Sequence, residues 1–166
     1  MTPLAHQSHS MVLARGVSLD DFFMREAVKE AEKAFDSEEV PVGCVIVYQN
    51  KVIARAHNQI RLLKDPTAHA EMIALTQAAA HFGNERLTDT TLYATMEPCP
   101  MCAGAMVLGR IARLVYGAPD PKAGAAGSIV NIVSHPKLNH RIPATSGILE
   151  NECASLLKEF FKKRRA

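Results

Sequence analysis

Three potential metal ligands, separated by one helix-and-strand unit, constrain this chain more than any other feature. His69-Ala70-Glu71 and Pro98-Cys99-Pro100-Met101-Cys102 each fall near the start of a helical pattern, and thirty positions separate His69 from Cys99. Asp65-Pro66 predicts a helix to about Phe82, with Asp65 as cap and proline in the first turn. Cys99-Pro100 repeats that pattern and predicts a helix through Gly109, with Thr90 to Thr95 a strand between the two. In a right-handed β-α-β crossover both helix starts arrive at one sheet edge, where the C-terminal ends of the strands open a crevice. The chain then brings one imidazole and two thiols to one point.

The remaining periodicities supply a sheet for that crevice. Ser18 caps a helix to about Asp36, in which Met24, Val28, Ala31 and Phe35 recur at helical spacing. Val40 to Tyr48 and Lys51 to His57 read as a hairpin turning at Gln49-Asn50. Ala112 to Tyr116 predicts a fourth strand, and Gly124 to Val133 a glycine-rich turn running into a helix. A short strand near Pro143 to Ser146 leads to a last helix with the stripe Leu149, Cys153, Leu156 and Phe160. Strands alternating with helices imply an α/β sheet covered on both faces. Residues 1–17 read as a flexible extension and 18–166 as a single domain, a size usual for one core.

Two thiolates and an imidazole suit zinc by ligand softness. Three protein ligands leave a fourth tetrahedral position for water, the arrangement of a catalytic site; a structural site needs a fourth ligand. Cys44, inside the aliphatic run Val42 to Val47, reads as a small buried hydrophobe, and so does Cys153 on its helix stripe. Glu71 lies two residues beyond His69, close enough to take a proton from water and return it to a ring nitrogen and a leaving amine. Hydrolytic deamination of a heteroaromatic base is the chemistry that uses all four residues.

Charge is asymmetric. Leu19 to Val40 holds eight acidic residues against three basic ones, whereas from Ala105 onward ten Lys or Arg face four Asp or Glu. The terminal Lys162-Lys163-Arg164-Arg165 has two readings, cations complementing a helix dipole or a patch for phosphates. No apolar run approaches the roughly 20 residues of a membrane span, and the N-terminus lacks a secretory stretch, so a cytoplasmic location is expected.

The H-x-E…P-C-x-x-C pattern is that of the zinc nucleobase deaminases. Asp65-Pro-Thr-Ala-His-Ala-Glu71, Leu92 to Cys99, Met101 to Met106, Gly124 to Ser128, His135 to His140 and Phe160-Phe161 before basic residues resemble the bacterial tRNA-specific adenosine deaminases. The resemblance spans roughly Ser18 to Arg165. It implies a cytidine-deaminase-like three-layer α/β/α sandwich with a mixed five-stranded sheet, and a homodimer whose active sites are completed near the interface. It further implies one zinc per subunit on His69, Cys99 and Cys102, with Glu71 as proton shuttle. The implied reaction converts the wobble adenosine of an arginine tRNA to inosine.

By the same resemblance Asn58 and the Ala70 backbone contact the nucleoside, and Asp120 and Lys122 lie near the anticodon backbone. Asn139, His140 and Phe161 would hold splayed anticodon nucleotides. Plainer roles stand beside these: Asn58 as a strand end, Asp120 as a turn residue, Phe161 as core. Pro119 stands where the family often has a basic residue, and the extension before Ser18 is long for the family. A deaminase of free bases or nucleotides, a non-catalytic zinc module binding RNA, and a thiol oxidoreductase using Cys99 and Cys102 are the alternative readings.

Overall fold

The computed structural model describes residues 12–13 and 16–165; the rest of the N-terminal extension lies outside the described residues. Strands β1 (Val12–Leu13) and β2 (Val17–Ser18) pair antiparallel. Ser18 then caps α1 (Leu19–Asp36), its hydroxyl accepting from the Asp21 amide at 3.0 Å. β3 (Gly43–Tyr48) and β4 (Lys51–His57) form the expected hairpin, and both turn residues, Gln49 and Asn50, adopt positive φ. After a four-residue helix α2 (Ile60–Leu63) come α3 (Ala70–Phe82), β5 (Thr90–Met96) and α4 (Pro100–Leu108). β6 (Arg113–Ala118), β7 (Ala144–Thr145) and α5 (Glu150–Arg165) complete the chain.

The main sheet has the order β4-β3-β5-β6-β7. β3 runs antiparallel to both neighbours, whereas β5, β6 and β7 are parallel. β4 and β5 therefore run in the same direction with β3 between them. Side chains alternate between two cores. Cys44, Ile46, Leu92 and Leu114 pack with α3 and α4. Val45, Val47, Tyr93 and Val115 pack with α1 and the Cys153 stripe of α5. The result is the three-layer α/β/α sandwich. α1 presses so closely on β3 that a Cβ at Gly43 would stand 2.0 Å from the Ala27 carbonyl oxygen.

Three local expectations change. α3 begins at Ala70 rather than near Pro66, because the Asp65 carboxylate accepts from the Thr67 amide and hydroxyl and holds an Asx turn there. α2 was not anticipated; the buried Glu39 carboxylate, distant in sequence, accepts from the Arg61 and Leu62 amides at its start. Gly124 to Val133 forms no helix. Its amides are drawn instead to the Glu97 carboxylate and to turns, with a single bridge between Ala126 and Asn131.

Asp20, in the first turn of α1, ties that layer to the sheet. Its carboxylate accepts from the two terminal guanidinium nitrogens of Arg113, at 2.8 and 2.7 Å, and from the Tyr93 hydroxyl at 2.8 Å. Burial works against its ionisation, but Arg113 and Tyr93 outweigh it and hold the carboxyl below its usual range. A depressed carboxylate contributes stability above its unfolded pKa and loses it as pH falls through the folded value. Asp20→Asn should therefore cost about 1–2 kcal/mol at neutral pH. In denaturant titrations the gap from the wild type should stay constant above pH ~5 and narrow as pH falls below the ordinary aspartate value of ~4 and through the lower folded value of Asp20.

Candidate active site

The strand directions decide where the functional groups arrive. β4 and β5 both end beside Gly43, so α3 and α4, which follow them, start at that same sheet edge. The loop from Asn58 is closed by the Gln59 amide donating to the Ala68 carbonyl at 3.0 Å, which delivers His69 to the N-cap of α3. Cys99 is the N-cap of α4, with proline following it, and Cys102 lies in the first turn.

His69 Nδ1 stands 3.6 Å from Cys99 Sγ and 3.5 Å from Cys102 Sγ, and all three donor atoms lie within 4.8 Å of one another. Tetrahedral zinc with Zn–N near 2.0 Å and Zn–S near 2.3 Å requires an N···S separation of about 3.5 Å. The donor set thus fits one zinc ion in type and spacing. Glu71 is 3% exposed, and its Oε2 lies 3.6 Å from Cys102 Sγ. It stands beside the donors rather than among them.

The electrostatics follow from this crowding. A hydrogen bond from the Cys102 thiol, against opposing burial and with help from His69, lowers Cys99 to about 4. Sharing that proton, together with burial, drives Cys102 well above the ordinary thiol range. His69 is raised, first by its hydrogen bond to Cys99. Burial raises Glu71 above the usual carboxylate value, the direction needed for a group that both takes and gives protons. A bound metal would displace the shared proton and hold both sulfurs as thiolates.

A cavity of about 420 Å³ opens over these groups. Asn58, His69, Glu71, Glu97 and Cys99 line it along with Val40, Val42, Ile60, Met96 and Leu157, and Asp120, Pro121, Lys122 and Phe161 also border it. Asn58 is buried, its Oδ1 accepting the Ala70 amide at 2.8 Å, so that amide is already committed to Asn58. Asp120 Oδ1 accepts from the Lys122 and Ala123 amides and shapes its own turn. Phe161 is 42% exposed, in contrast with its buried neighbour Phe160.

Asn139 and His140 are not at this cavity. They lie by the turn between α4 and β6, where Arg110 donates to Asn139 Oδ1 and His140 Nε2 meets the Ile111 carbonyl at 2.7 Å. Conversely, sequence reasoning assigned no role to Glu97, although its place before Pro98-Cys99 was a signal. Glu97 is 2% exposed. Despite burial, hydrogen bonds from Ser128 and the Ala126, Ser128 and Asp120 amides hold it below the usual carboxylate range.

A model of the MafB19-like deaminases matches residues 19–165. The chain is 46% identical over 146 residues to the tRNA-specific adenosine deaminase of Bacillus subtilis (strain 168), covering 88% of this chain and 91% of that one. The chain belongs to the tRNA-specific adenosine deaminase family. This deaminase is also 44% identical over 167 residues to the chloroplastic tRNA(adenine(34)) deaminase of Arabidopsis thaliana, matching 89% of its own length and 12% of the plant protein. A solved structure from work on A-to-I editing by tRNA:A34 deaminases superposes with a TM-score of 0.79 at 46% identity, over 82% of this chain and 99% of that one. A guanine deaminase of Nitrosomonas europaea shares the fold, with a TM-score of 0.73 at 22% identity over 90% of this chain and 86% of that one.

In metal-stripped protein at pH 6, Cys99 should be alkylated by iodoacetamide well before Cys44, Cys102 and Cys153, which are buried and raised. Added zinc should protect it; peptide mass mapping reads both outcomes.

Proposed function

We propose that this protein deaminates the wobble adenosine of an arginine tRNA to inosine, releasing ammonia. The observation that carries the proposal is a buried carboxylate, Glu71, set beside a His-Cys-Cys donor set at an open cavity. The named activities of the relatives supply the substrate class. In this reading residues 18–166 are the deaminase domain and 1–17 an extension. Each subunit of a cytoplasmic homodimer carries one zinc on His69, Cys99 and Cys102. Among the described residues no helix is long and apolar enough to cross a membrane.

When bound, zinc supplies the acidity that makes water a nucleophile near neutral pH, with a pKa of about 7 in catalytic sites. Glu71 takes the proton released as water attacks C6 and gives it to adenine N1, then takes the second proton from the new C6 hydroxyl and passes it to the amine, which leaves as ammonia while the C6 carbonyl forms. Its raised affinity for a proton suits this alternation. Asn58 borders the nucleoside and carries the start of α3 at Ala70 behind it, while Val42, Ile60 and Met96 exclude bulk water from the base. Asp120, Lys122 and Phe161 meet flanking nucleotides at the rim. Asn139 and His140, remote from the cavity of their own chain, would reach the anticodon from elsewhere on the dimer. RNA recognition of this kind splays single-stranded bases into pockets.

The test is an inosine assay with zinc-loaded protein and an arginine anticodon stem-loop, run beside free adenosine, cytidine and guanine. Conversion of the wobble adenosine alone is expected. Deamination of a free base instead would contradict the RNA reading. Glu71→Ala should keep one zinc per chain by metal analysis and lose at least about 10²–10⁴-fold in rate, the range for general acid–base catalysis. Near-normal turnover in that variant would remove Glu71 from the mechanism.

A further inference from the structure

Glu97 is a buried carboxylate that the deamination chemistry leaves unused, and every hydrogen bond to its side chain comes from a single loop. Its Oε1 accepts the Asp120 amide at 3.2 Å and the Ser128 hydroxyl. Its Oε2 accepts the amides of Ala126 at 3.0 Å and Ser128 at 3.1 Å. The adjoining backbone adds to the seam: the Ala125 amide donates to the Pro98 carbonyl at 2.8 Å, and the Glu97 amide to the Ala118 carbonyl at 2.8 Å. The loop closes tightly over the carboxylate. A Cβ at Gly124 would stand 2.3 Å from Glu97 Oε2 and 2.4 Å from its carboxyl carbon, so a side chain there would displace the group.

This seam joins two parts of the catalytic cavity. Glu97 precedes the metal-ligand turn by two residues and itself lines the cavity, and the loop it grips carries Asp120, Pro121 and Lys122 at the same cavity. A carboxylate is the side chain suited to this place, because it offers only acceptors to three amides and a hydroxyl. A glutamine would turn an NH2 group toward N–H donors and leave buried amides unpaired.

We infer that Glu97 is a positioning residue which fixes the 120–128 loop, and with it the substrate-facing rim, relative to the metal turn. The inference rests on the deaminase reading for its kinetic arm, but its structural arm is independent of it. Glu97 sets how tightly the RNA is held and has no part in proton transfer, so its loss should appear in KM and not in kcat.

Glu97→Gln and the milder Ser128→Ala, which removes one donor, test this in the full-length zinc-loaded protein. In Glu97→Gln the Ala126 and Ser128 amides should exchange with deuterium at least about tenfold faster, as expected for the loss of a charged hydrogen-bond acceptor. KM for the anticodon stem-loop should rise roughly ten- to a hundredfold, with kcat within about threefold and zinc content unchanged. Ser128→Ala should move both readouts the same way by less. Wild-type exchange and KM in Glu97→Gln would overturn the inference. Loss of zinc together with kcat would overturn it too, by making Glu97 a support of the metal turn alone. If the wild-type protein fails to edit the stem-loop, the deaminase reading falls, and the amide exchange still decides whether Glu97 holds the loop.

Discussion

Two helices that begin at one edge of a sheet hold this site together. Because β3 runs antiparallel between β4 and β5, the strands on either side of it point the same way, and the helices that follow them start side by side. Each start presents a donor at its N-cap, His69 on α3 and Cys99 on α4. Helix N-termini favour negative charge, so the placement also favours thiolate over thiol where a cation is to be bound. The two N-cap residues and Cys102 thereby bring together three donors that fit three positions of a tetrahedral ion.

The surroundings are arranged to keep that geometry while leaving one side open. Asn58 fastens the end of β4 to the first residue of α3 through the Ala70 amide, so the residues either side of that amide, His69 and Glu71, share one anchor. Burial of Glu71 raises its proton affinity without removing it from the cavity. Ahead of the metal turn, the carboxylate of Glu97 gathers amides of the 120–128 loop. The two buried glutamates thus differ in setting: Glu71 has its proton affinity raised by burial, and Glu97 is saturated with hydrogen bonds.

Much of this was legible in the sequence because it depends on local patterns. The Ser18 cap, the hairpin with its Gln49-Asn50 turn, and the Cys99-Pro100 helix start all follow from nearest-neighbour chemistry. What escaped depends on partners far away in the chain. Glu39 caps α2 from more than twenty residues upstream, and Glu97 diverts Gly124 to Ser128 from a helix into a loop. Asp65 misled because the same residue that can cap a helix can also close an Asx turn, and here Thr67 supplies the donors for the turn. The cluster of His69, Cys99 and Cys102 with Glu71 beside it was visible through spacing, whereas the apolar walls of the cavity, Val42, Met96 and Leu157, look like any core residue until the sheet edge is built.

In this site His69, Cys99 and Cys102 would supply three ligands to zinc and leave a fourth position for the reaction. X-ray absorption at the zinc edge of the loaded protein tests it most directly. Two sulfurs at about 2.3 Å and one imidazole nitrogen near 2.0–2.1 Å are expected, with one further light atom that is not a second imidazole. A third sulfur, or a second histidine in the shell, would describe a closed structural site and contradict it.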